Sequence, residues 1–188
     1  MTTLKAEKRS MDVKAKRLRR EGYVTGNVFG KKIQGSIPVK MEKKDVDRLL
    51  KTETKGGQIM LDVEGEVYDV LIKEVDYDAM ANQVVEIDFQ ALVSNEKVHS
   101  VAEIIFENHD KVEAGVLQEV LKEVSYRALP AALVEKVKVD VGEMEIGDTI
   151  RVKDLSIAKD KDIDIDDNAF KSIEAIIYSM TPQENSPE

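Results

Sequence analysis

Ile59, Leu61 and Val63 fall on every second position, as do Tyr68, Val70 and Ile72, with Glu64-Gly65 between the two runs. A period of two places the apolar side chains of each run on one face of a strand, so the stretch predicts a β-hairpin closed by a Glu-Gly turn. Further strands are expected at 4–9, 23–29, 36–41 and 84–92, with Gly30 to Gly35 and Asn82 as turns and Gly56-Gly57 ending a loop. Two short helices interrupt them. One covers 12–20, with Asp12 near its start to complement the dipole and Gly22 stopping it. The other covers 43–51, where Val46, Leu49 and Leu50 share a face. Five or six short strands with two short helices before residue 93 point to a compact β-barrel or α+β unit.

Ser94-Asn95-Glu96 is a polar break and the expected domain boundary. An N-terminal domain over 1–93 is then followed by a mostly β domain over 94–180. Its strands are expected at 98–106, 116–128, 134–141, 149–152, 162–166 and 173–179, with turns at Leu129-Pro130 and at Glu145-Ile146-Gly147-Asp148. Residues 181–188 are rich in Pro, Ser and Glu and read as a disordered tail.

Charge divides the chain in the same way. The net charge is -9 over 188 residues. Residues 1–32 nevertheless carry ten Lys/Arg against three acids, a net of +7, and residues 1–92 as a whole carry +1. The remaining 96 residues hold 11 basic and 21 acidic side chains, a net of -10. A basic end attracts phosphates, and an acidic end keeps the protein soluble and repels non-specific nucleic acid. The absence of cysteine excludes disulfides, thiolate zinc sites and cysteine nucleophiles, and fits a cytoplasmic home. No apolar run approaches the roughly 18 residues of a membrane span, and the start MTTLKAEKRS has no apolar signal core.

The basic charge concentrates in KAKRLRREGYVTGNVFG, residues 14–30, where Lys14, Lys16, Arg17, Arg19 and Arg20 precede a glycine-punctuated strand ending in Phe29. Its two readings are a solvated helix and a polyanion-binding element. Arg17 and Arg19 offer planar forks suited to phosphate oxygens or base edges, and Lys14 and Lys16 offer charge. Asp88-Phe89 reads first as structural, with Phe89 in the core and Asp88 satisfying backbone donors. His99 and His109 have no metal-ligand spacing. The cluster Asp160, Asp162, Asp164, Asp166 and Asp167 lacks the glycine and terminal glutamate of a calcium loop, and its alternation with Ile163 and Ile165 fits a strand with one acidic face. Without a nucleotide, hydrolase or zinc-protease motif, the chain reads as a non-enzyme without cofactor or metal.

Three segments resemble one family. KRLRREGYVTGNVFG is similar to the basic helix and following strand of bacterial ribosomal protein L twenty-five, also called the general stress protein Ctc family. VLIKEVDYDAMANQVVEIDFQAL resembles that family's RNA-facing hairpin, through Val70 to Lys73 and Asp88-Phe89. ALPAALVEKVKVDVGEMEIGDTIRVKDL is similar to the signature of its longer, two-domain members. The resemblance implies a closed N-terminal β-barrel and a mainly β C-terminal domain. It implies binding of 5S rRNA at loop E within the large ribosomal subunit, and hence a cytoplasmic, ribosome-associated protein. Neighbouring ribosomal proteins would be further contacts, and neither membrane nor DNA a partner. The implied RNA-binding residues are Arg9, Lys14, Lys16, Arg17, Arg19, Arg20, Phe29, Lys73 and Asp88.

The chain also departs from the family pattern. Asp76 stands for a glutamine, Asp78-Ala79 for His-Pro, Glu86 for a histidine and Thr25 for a proline. Three positions on the expected RNA face are therefore acids, each repelling a phosphate at 4 Å by roughly 1 kcal/mol in water. That pattern keeps a second reading open: a stress-related paralogue with the same fold that binds a protein or a different RNA.

Overall fold

In the computed structural model, which describes residues 2–111, 116–145, 147–166 and 176–181, the chain divides into two compact units, Met1–Val98 and His99–Glu188. The first unit begins with β1 (Thr3–Lys8) and α1 (Ala15–Arg20), followed by β2 (Tyr23–Phe29) and β3 (Ser36–Glu42). After α2 (Lys43–Leu49) come β4 (Gln58–Val63), β5 (Glu66–Asp78) and β6 (Gln83–Ala91). The alternating runs form the expected hairpin, β4 with β5. Glu64 (φ 55°) and Gly65 (φ 94°) both take the left-handed conformation that a tight hairpin turn demands.

The six strands close into a barrel in the order β1-β3-β2-β6-β5-β4, and a parallel pair of β1 with β4 completes the circle. Closure leaves the barrel without an edge strand. Inward side chains such as Leu4, Val24, Val28, Leu61, Val70, Ile87 and Phe89 are essentially inaccessible and form one core. Val46 and Leu49 of α2 plug into that core, which is why this short helix keeps one apolar face.

Helix α1 starts three residues later than the sequence predicts. Its N-cap is Lys14 and its first turn holds no acid. Asp12 instead accepts a hydrogen bond from Ser10 Oγ at 3.0 Å in the loop before it. Competition from that local bond draws Asp12 out of the helix. The dipole is complemented at the other end, where Arg17, Arg19 and Arg20 occupy the last turn and Gly22 (φ 90°) follows.

In the second unit, β7 (Val98–Glu107), β8 (Val116–Glu119), β9 (Glu123–Ala128) and β10 (Lys136–Asp140) precede β11 (Thr149–Arg151), β12 (Ile163–Ile165) and β13 (Ile176–Thr181). They form a four-stranded sheet ordered β10-β7-β9-β12 and a three-stranded sheet ordered β11-β13-β8. The single strand expected over 116–128 is thus two strands in different sheets. Leu121 and Val124 are both buried three residues apart, an odd spacing that one strand cannot hold on a single face. The strand expected over 134–141 is shorter because Val134 belongs to a side-chain latch. Tyr126, fully buried, donates to Val134 O (2.8 Å) and accepts from Val134 N (2.7 Å). Tyr126→Phe leaves both backbone groups without that partner and is expected to destabilise this unit by about 2 kcal/mol in urea unfolding. A change below about 0.5 kcal/mol would show that the latch contributes little.

Ile163 is buried and Asp164 exposed on β12, as the alternation predicts for a strand with one acidic face. Thr181 ends β13 rather than opening a tail, and the rest of the expected tail, 182–188, lies outside the described residues. Among the described residues, no helix is long and apolar enough to cross a membrane.

Candidate nucleic-acid interface

Period-two alternation sorts β2 and β6 into an inner and an outer face. Val24 and Val28 point inward from β2, and Ile87 and Phe89 from β6. Thr25, Asn27 and Phe29 therefore share the outer face with Glu86, Asp88 and Gln90, and the two strands run parallel with Thr25 opposite Glu86 and Phe29 opposite Gln90. Phe29 is half-buried there and does not pack on the barrel core.

Helix α1 lies over this face and covers Thr25, which is fully buried. On α1, Leu18 is buried and Arg19 is half-buried. Arg19 Nε donates to Val85 O at 3.1 Å, and Arg19 Nη2 stands 3.6 Å from Glu86 Oε2. Its guanidinium thus ties α1 to β6 and is not a free fork. Arg17 is exposed and pairs with Glu21 one turn on at 2.8 Å, a hydrogen bond and charge that hold its guanidinium above the ordinary arginine range. Lys14, Lys16 and Arg20 are exposed and form no ion pair with any described residue. They make a rim of positive charge on the exposed side of α1.

The other expected residues have different roles. Asp88 Oδ1 accepts from Asn27 N at 2.9 Å and from Asn27 Nδ2 at 3.2 Å, so it bonds β6 to β2, as the structural reading of the sequence predicts. Lys73 lies beside Asp88 on the neighbouring strand, at an irregularity in the β5–β6 register. Burial, reinforced by the like charge of Lys55, pulls its ammonium below the ordinary lysine range. Arg9 stands apart at the end of β1, where Nη2 donates to Val13 O at 3.3 Å and its buried Nε has no hydrogen-bond partner among the described residues.

The acids also separate by role. Asp78, the last residue of β5, also holds the turn that follows: Oδ1 accepts from Met80 N (2.9 Å) and Ala81 N (3.1 Å). Asp76 lies directly opposite Glu86, and Glu74 opposite Asp88. Opposed residues share a face, so these four carboxylates form a ladder along the outside of the hairpin. Glu74 is missed by reading the sequence residue by residue, although its spacing of two from Asp76 is the signal. Partnering moderates the ladder, since Glu86 faces Arg19 and Asp88 bonds Asn27. Among the described residues, no group of three or more acids or histidines is placed to hold a metal.

Residues 4–89 match the model of the Ribosomal L25p family, and residues 97–184 match that of the Ribosomal protein TL5 C-terminal domain. A relative from Carboxydothermus hydrogenoformans, named large ribosomal subunit protein bL25, is 32% identical over 143 residues, covering 75% of this chain and 71% of its own. This chain belongs to the ribosomal L25p family. Two further relatives of that name span nearly the whole chain. The one from Thermoanaerobacter sp. (strain X514) is 28% identical over 176 residues, covering 93% of this chain and 85% of its own. The one from Caldanaerobacter subterraneus is 29% identical over 189 residues, covering 99% and 92%. The L25p match runs from Leu4 to Phe89, so the rim, the carboxylate ladder and all of the outer face but Gln90 lie inside it in this L25p member. The second match falls on the acidic β unit.

Proposed function

We propose that this chain is a cytoplasmic protein of the large ribosomal subunit that binds 5S rRNA, in its loop E region, through the N-terminal barrel. The observation that carries the reading is the unpaired cationic rim of Lys14, Lys16 and Arg20. It accompanies an outer face bearing Asn27 and half-buried Phe29. Folded RNA is recognised by its shape, its phosphates and its 2′-hydroxyls, and such a face supplies charge, amide donors and a flat ring for those groups. The names of the relatives support the ribosomal setting. The role is structural, in translation. The acidic second unit keeps unspecific RNA away and meets neighbouring ribosomal proteins.

The carboxylate ladder favours a second reading, in which the same rim binds an RNA other than loop E. Titrating the full chain with a loop E hairpin and with an unrelated structured RNA, each at several salt concentrations, tests both. The first reading expects a submicromolar Kd for loop E and a clear negative slope of log affinity against log salt. Equal affinity for the unrelated RNA would overturn it in favour of the second.

A further inference from the structure

A second cluster of positive charge lies on α2, away from the barrel core. Lys44, Asp47, Arg48 and Lys51 follow one another at i, i+3, i+4 and i+7, so they share one side of the helix and its C-terminal turn. All four are exposed, whereas Val46 and Leu49 on the opposite side are buried. Together with Lys43 and Gly22 they line an open groove of about 550 Å³. Four cations against one carboxylate is a strong imbalance on a protein whose net charge is -9. The packing of α2 into the core does not need these charges, because the buried face alone holds the helix.

Local geometry joins this groove to the rim on α1. Lys43 N donates to Gly22 O at 2.9 Å, so the first turn of α2 abuts the turn that ends α1. Gly22 lies two residues beyond Arg20, a reach of at most about 7 Å of chain. Its left-handed φ of 90° calls for glycine, and the space its missing side chain leaves is open. Lys43 Nζ is held by Gln83 Oε1 at 2.9 Å, and Arg48 shares its charge with Asp45 at 3.3 Å. Lys44 and Lys51 form no ion pair with a described residue.

We infer that the α2 groove is a second phosphate-binding surface, in which Lys44, Arg48 and Lys51 grip the backbone of a duplex segment of the RNA held on α1. This inference rests on the RNA-binding reading above. It adds a contact area that reads no sequence and sets affinity and orientation.

The test compares the full chain with the variant K44A/R48A/K51A, using a 5S rRNA fragment that carries loop E and its flanking helices. All three side chains are exposed, so an unchanged thermal melt is expected for the variant. Its affinity should fall about thirtyfold at moderate salt, with a salt slope shallower by about two. The charge-conserving pair K44R/K51R should bind like the parent. If the parent binds and K44A/R48A/K51A binds equally well with the same slope, the inference fails while the RNA-binding reading stands. If the parent binds no RNA, both fail together.

Discussion

Gly26→Ala is expected to unfold the N-terminal barrel or leave it marginal. Gly26 is buried on β2, where that strand runs beside β6. A Cβ added there would lie 1.9 Å from Ile87 O and 3.0 Å from Ile87 C, with Met41 Cε at 3.4 Å. The methionine end could swing away, but the carbonyl belongs to β6 itself. Relieving the clash means separating β2 from β6, the two parallel strands whose contact helps close the barrel. Overpacking of this kind costs about 3 kcal/mol, and more where backbone must move, against a total of roughly 5–15 kcal/mol for a domain. Urea unfolding followed separately for the two units should show a large loss in the first and none in the second. A loss below about 0.5 kcal/mol would mean that the two strands tolerate side chains at their contact, contrary to the geometry.

Reversing the rim charges, with K14E/K16E/R20E, is expected to weaken loop E binding by about a thousandfold at moderate salt. Each reversal removes a cation and places an anion next to phosphate, and none of the three side chains holds the fold together. The thermal melt should therefore stay near that of the parent. Retention of affinity within tenfold would remove α1 as the RNA contact. Arg19→Ala makes the opposite control. Its guanidinium is already committed to Val85 O and Glu86, so its loss should loosen α1 from the barrel and lower stability together with binding. A melt unchanged by Arg19→Ala would show that this tie is dispensable.

Much of the barrel was legible in the order of residues. The alternation of Ile59, Leu61 and Val63 with Tyr68, Val70 and Ile72 specifies a hairpin because strand geometry has a period of two. Glycine at 22 and 65 marks turns because those backbones need a left-handed φ. The second unit was less legible. The run over 116–128 is continuous in composition, and its division between two sheets follows from which neighbours each half meets. Local pattern carries no information about those neighbours.

For the site, the sequence by itself determined where the cations are: a cluster over residues 14–20 in an otherwise acidic chain, set before a glycine-punctuated strand. Tertiary structure decided what each one is free to do. Arg17 and Arg19 look alike in sequence, but Arg17 lies on the open side of α1 and Arg19 on the side facing β6. Asp76, Asp78 and Glu86 look like three equal repellents, but one closes a turn, one pairs with Arg19, and one lies opposite that pair on the neighbouring strand. Charge is a property of a residue type and is readable from the chain. Whether that charge is available to a partner depends on which groups folding brings within hydrogen-bonding distance, and those come from strands some sixty residues away.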